Sequence, residues 1–132
     1  MSITTRAAIA PGLNEKLLIE EVQLRAPVGH EVLVQMKASG LCHTDLSVIE
    51  GKFPIKLPAI LGHEGAGIVV ECGPDVTVVQ PGDHVVLNNT PHCGKCSPCL
   101  SGKTSFCIKM VEEGGRTSPF TWRGEPLRTM GA

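Results

Sequence analysis

Four thiols stand in one short stretch, Cys93-Gly-Lys-Cys96-Ser-Pro-Cys99-Leu-Ser-Gly-Lys-Thr-Ser-Phe-Cys107. A zinc ion takes about four soft donors in a tetrahedron, with Zn–S distances near ~2.3 Å. Two-residue gaps let Cys93, Cys96 and Cys99 converge on one point, and Gly94 and Pro98 permit the tight turns between them. The longer gap lets Cys107 return and complete the set. Four thiolates leave no open position for a substrate, so this pattern reads as a structural zinc site. Two disulfides, or thiols that are simply reduced, are the alternatives. The opening MSITTRAAIAPG has no uninterrupted apolar run of the signal-peptide kind. The expectation is therefore a cytoplasmic protein, where disulfides are rare.

A second group lies upstream, in Cys42-His43-Thr44-Asp45 and Gly62-His63-Glu64-Gly65. A thiolate and an imidazole from separate segments supply two of the three protein donors of a catalytic zinc, whose fourth position stays open to water. Such a metal lowers the pKa of a bound hydroxyl and acts as a Lewis acid. Thr44 could pass a substrate proton outward. Asp45 could accept the second N–H of His63, the usual support of a metal-bound imidazole. Glu64, next to the histidine, could tune the metal or enter its coordination. Against this stand a core thiol beside an ordinary histidine, and a Cys–His nucleophile pair, for which no sequence feature supplies an oxyanion hole. Cys72, at the end of an apolar run, reads as a small core residue. No role is assigned to Cys72, His30, His84 or His92.

These groups need elements to hold them. Aromatic residues are few (Phe53, Phe106, Phe120, Trp122), while 15 Gly and 10 Pro punctuate runs rich in Val, Ile and Leu. That mixture favours short strands joined by turns. Strands are expected at 3–9, 17–24, 31–38, 65–72 and 83–88, and a short helix or helical turn between Cys42 and Gly51. Pro54 and Pro58 should hold an extended loop, and PFTWRGEPLR should form a hairpin turning at Arg123-Gly124. The fold class expected is mainly β, a small barrel or sandwich, as one domain over 1–132 with a zinc lobe at 91–110. A net charge of −1 gives no electrostatic footprint for nucleic acid. No run of about 18 apolar residues suits a membrane span.

In series, C-H-T-D, G-H-E-G-A-G, G-D-H-V and four cysteines at these spacings resemble the zinc-containing alcohol dehydrogenases of the medium-chain dehydrogenase/reductase superfamily. The C-H-T-D and G-H-E-G-A-G wording leans toward the class III-like branch, which includes S-(hydroxymethyl)glutathione dehydrogenases. The resemblance implies a GroES-like β-barrel catalytic domain and an oxidoreductase that transfers hydride from an alcohol to NAD(P). It implies Cys42 and His63 as ligands of a catalytic zinc, and Cys93, Cys96, Cys99 and Cys107 as ligands of a structural one. Thr44 would start a proton relay, Asp45 would orient His63, and Glu64 would stand behind the metal. His43 would face the pyrophosphate of the dinucleotide.

Two departures accompany the resemblance. Ser47 stands where several family members carry the relay's outer histidine. By the resemblance, the third cysteine ligand and the Rossmann domain would fall past Ala132; the chain contains no G-x-G-x-x-G. The chain is thus expected to be an N-terminal fragment, inactive alone, with an open barrel edge. Its partner would be a small-molecule alcohol or aldehyde, and a homo-oligomer would form only in the full-length parent. The competing function is a non-catalytic, zinc-stabilised binding module.

Overall fold

The structure is a computed structural model and describes residues 2–109 and 118–130. The expected ends of the lobe at 110 and of the domain at 132 lie outside those residues. The chain divides into two compact units, one running up to Leu87 and resuming at Ser118, the other spanning Asn88–Thr117.

The first unit is built of strands, as its apolar runs and turn residues require. Strands β1 (Ser2–Ala10) and β2 (Leu18–Arg25) pair antiparallel from Ser2↔Arg25 to Ile9↔Leu18. A six-stranded sheet grows from this hairpin in the order β8-β7-β2-β1-β4-β9. Its other members are β4 (Ala59–Ile60), β7 (Phe120–Trp122), β8 (Glu125–Pro126) and β9 (Arg128–Thr129). The edge strands β8 and β9 are joined through a single residue, Leu127, so the sheet bends back on itself as a nearly closed barrel. Leu127 is 1% exposed and packs with Ile9 and Val22, flanked by Ile60, Phe120 and Trp122. Burying each such side chain stabilises by roughly 1.5–3 kcal/mol, so the core sits where the sheet closes.

A second sheet has the order β3-β5-β6, from β3 (Val32–Ser39), β5 (Gly65–Cys72) and β6 (His84–Val86). Gly67 lies so close to β3 that a Cβ there would strike the Gln35 carbonyl oxygen and stand 2.6 Å from Val34 Cγ1. Gly65 and Gly67 of G-H-E-G-A-G thus serve close packing in this sheet, while Gly62, at φ 101°, supplies a left-handed turn before it. β6 is an edge strand, and its Val86 is 81% exposed.

Helix α1 (His43–Ile49) follows β3, with Cys42 extended at its N-cap and Asp45 in its first turn. Gly51, at φ 74°, takes up the left-handed turn after the helix. Segment 53–58 is a bent loop rather than the extended one expected: the Ile55 N–H turns back to the Phe53 carbonyl at 2.9 Å and the Leu57–Pro58 peptide is cis. It leads into β4, which pairs with both β1 and β9. The two-residue strand carries too little periodicity to be read from sequence. Arg123 and Gly124, at φ 53° and 84°, form the tail hairpin's turn. Among the described residues β4–β9 is the one parallel pair, so no βαβ nucleotide-binding unit is present there. No described helix is long and apolar enough to cross a membrane.

Candidate metal centres

In the unit Asn88–Thr117, the Sγ atoms of Cys93, Cys96, Cys99 and Cys107 lie within 4.8 Å of one another. Local structure explains the convergence. Gly94, at φ 69°, reverses the chain after Cys93. Cys96 is the N-cap of helix α2 (Ser97–Leu100), whose Pro98 suits the first turn. Cys107 closes a 3-10 turn at Thr104–Phe106 and is fully buried. Cys96 Sγ is 3.4 Å from Cys99 Sγ and 4.0 Å from Cys107 Sγ. These separations exceed a disulfide bond of about 2.05 Å, and no disulfide joins any of the six cysteines.

Backbone amides prepare the lobe for anionic sulfur. The N–H groups of Lys95 and Cys96 both donate to Cys93 Sγ at 3.4 Å, and that of Cys93 donates to Cys107 Sγ. The donors at Cys93 hold its thiol below the ordinary range, that of Lys95 foremost. The Cys99 N–H does the same for Cys96. Burial pushes the Cys99 thiol up to about 12. Four thiols packed this closely cannot all ionise without a cation among them. A zinc ion supplies that charge and takes four sulfur donors, so the residues fit the metal.

The second group lies wholly within the strand-rich unit. Cys42, at the start of α1, and His63-Glu64, just before β5, bring a sulfur, a ring nitrogen and a carboxylate oxygen within 4.8 Å of one another. Twenty-one residues of chain separate the thiol from the imidazole, and Asp45 bridges them. Its Oδ2 accepts from the Cys42 N–H at 3.2 Å, and its Oδ1 accepts from the Gly62 N–H at 3.1 Å. The same Oδ1 is 3.6 Å from His63 Nδ1, too long for a hydrogen bond. Asp45 therefore holds the histidine's loop through the Gly62 amide, a partner with no signal in the sequence. His63 is 9% exposed, and its Nδ1 is buried with no hydrogen-bond partner.

With Nδ1 turned toward Asp45, Nε2 is left for a metal. A thiolate, an imidazole nitrogen and a carboxylate oxygen are a donor set that suits zinc. Thr44 Oγ1 stands 3.3 Å from Cys42 Sγ, beside the position a metal would take. The Gly40 N–H donates to the Glu64 carbonyl at 2.8 Å, tying the two metal-side loops together. His43 is exposed on α1, and Ser47 Oγ turns back to it, 3.2 Å from its carbonyl oxygen and 3.4 Å from Nδ1. Cys72 Sγ donates to the Val79 carbonyl at 3.7 Å and stands apart from both groups.

Comparison with known proteins agrees with this architecture. The chain is 53% identical over 113 residues to an S-(hydroxymethyl)glutathione dehydrogenase of Paracoccus denitrificans, covering 85% of the chain and 30% of that relative. It superposes on an alcohol dehydrogenase zinc-binding domain protein from Burkholderia ambifaria with a TM-score of 0.89 at 40% identity, over 99% of the chain and 37% of that structure. Benzyl alcohol dehydrogenase from Acinetobacter calcoaceticus gives 0.80 at 39% identity, over 98% and 36%. The chain thus spans about a third of the length of these relatives. Residues 29–125 match the alcohol dehydrogenase GroES-like domain. They include both candidate centres, and on this match the chain belongs to that family.

Proposed function

We propose that the chain is the metal-binding part of the catalytic domain of a zinc-dependent alcohol dehydrogenase, in which Cys42 and His63 hold a catalytic zinc and the four lobe cysteines a structural one. The convergence of Cys42, His63 and Glu64, from segments 21 residues apart, carries the reading. A non-catalytic module leaves that convergence, and its bridge through Asp45, without a purpose.

Cys42 and His63 would hold the zinc, which would supply Lewis acidity to the substrate hydroxyl, and a nicotinamide dinucleotide would be the hydride acceptor. The chain's own residues do the rest. Thr44 Oγ1 accepts the substrate proton next to Cys42. Asp45 holds the Cys42 and His63 segments at fixed separation. His43, exposed at the helix start, faces the dinucleotide phosphates. Ser47, at the position beyond Thr44, is bonded to the His43 carbonyl and stands 3.4 Å from His43 Nδ1, so the proton's onward path runs through water or by another route. The substrate is a small alcohol or aldehyde, and the likeness to S-(hydroxymethyl)glutathione dehydrogenases favours a thiol adduct of formaldehyde. Cysteines joined in no disulfide favour the cytoplasm.

The test is metal binding. With the lobe filled by one equivalent of Zn²⁺, Co²⁺ is titrated and the thiolate-to-cobalt absorption followed. A second equivalent should bind, and Cys42→Ser or His63→Ala should abolish its signal. A second metal unaffected by either substitution refutes the assignment.

A further inference from the structure

We propose that Gly40 is a positioning residue for the candidate catalytic metal: its missing Cβ leaves the space in which the Glu64 carboxylate stands beside Cys42 and His63. The proposal rests on the metal reading given above. A Cβ at residue 40 would collide with Glu64 Oε2 and stand 3.1 Å and 3.3 Å from Glu64 Cβ and Cδ. The backbones cannot slide apart to relieve this. Ser39 is in register with Gly65 in the β3–β5 pair, and the Gly40 N–H is bonded to the Glu64 carbonyl.

Conformation does not demand a glycine here. Gly40 is not among the glycines of positive φ, unlike Gly51 and Gly62, so its backbone suits alanine. Glycine at such a site only adds disorder to the unfolded chain. A purely structural role therefore leaves the residue type unexplained.

Glu64 supplies the explanation. Among the described residues no side-chain hydrogen bond or ion pair holds its exposed carboxylate, yet an oxygen lies within 4.8 Å of the Cys42 and His63 ligand atoms. Space over Gly40, not a bonding partner, keeps it there. A methyl group at residue 40 turns the carboxylate toward solvent and removes a negative oxygen donor from the metal's reach.

The experiment is a double-mutant cycle on the whole chain, with Zn²⁺ in the lobe and Co²⁺ as the probe of the second site. Gly40→Ala and Glu64→Ala should each weaken cobalt by about tenfold, the scale for loss of a supporting group at a metal. The double variant should be no weaker than Glu64→Ala alone. If Gly40→Ala fails to fold, the double variant should fold, because the colliding carboxylate is gone, and should bind cobalt as Glu64→Ala does. Wild-type affinity in Gly40→Ala, or penalties that multiply in the double variant, overturns the role of Gly40. Wild-type affinity in Glu64→Ala overturns it too, while sensitivity to Cys42→Ser would still leave the metal site standing. No second cobalt in the unmodified chain overturns both.

Discussion

Replacing Asp45 by alanine tests whether one carboxylate holds the two metal-side segments together. Its side chain is 15% exposed and accepts from two backbone amides, Cys42 N–H at 3.2 Å and Gly62 N–H at 3.1 Å. Hydrogen bonds to a charged group contribute roughly 1.5–3 kcal/mol each. Both bonds are long, so the low end applies, and together they give about 3 kcal/mol. Asn at this position keeps one acceptor oxygen but turns an N–H₂ toward the other amide, and should cost about half as much, roughly 1.5 kcal/mol. Trp122, the single tryptophan, lies in the strand-rich unit and reports its unfolding. With a urea m-value of about 1.5 kcal/mol/M, Asp45→Ala should lower the midpoint by about 2 M and Asp45→Asn by about 1 M. A shift for Asp45→Ala within about 0.3 M of zero refutes the bridge, since it leaves no room for even one such bond.

Glu20 accepts from Trp122 Nε1 at 2.7 Å and from Arg123 at 2.9 Å, and these partners, Trp122 first, hold its carboxyl below its ordinary value of 4.5. A depressed folded pKa means that the stabilisation is present above 4.5 and is lost as pH falls through the folded value. Trp122 emission should therefore show an acid transition below 4.5 that Glu20→Gln lacks. Cys96→Ser should lose the tight lobe zinc, and the amides of the lobe should then exchange at unprotected rates, because metal binding supplies the folding energy of such small sites. Gly65→Ala meets Met36 Cε and stands 2.7 Å from Leu87 Cδ1, both side-chain atoms that can repack, at about 1–3 kcal/mol. Gly67→Ala meets the Gln35 carbonyl, which cannot, so thermal denaturation should rank it as the more damaging of the two.

What the sequence discloses follows the range of the interaction. The lobe is legible because three of its ligands come three residues apart and local turns bring them together. Strand β5 is legible over its full length because Gly65–Cys72 is an apolar run between turn residues. The Cys42 and His63 pairing is suggested by donor type but singled out only by family resemblance, since nothing in a 21-residue gap states that its ends meet. Residues 59–60 are hidden for another reason. A two-residue strand is defined by its neighbours β1 and β9, and both pairings are long-range. The Gly62 amide, as the partner of Asp45, leaves no trace because a backbone donor has no residue type.

The closure through Leu127 also sets an order of events during synthesis. The β1–β2 hairpin is local and can form once Arg25 has left the ribosome, yet the strands that complete its sheet arrive with Phe120–Thr129. About 100 residues intervene, and at roughly 5–20 residues per second they take about 5–20 s to appear. Through that interval Ile9 and Val22 lack Leu127, the β2 edge of the hairpin offers unpaired amides, and the β1 edge gains only the two-residue β4 once Ile60 has emerged. The nascent chain thus passes through a defined, adhesive half-sheet, whose lifetime depends on the pace of translation rather than on the stability of the finished barrel.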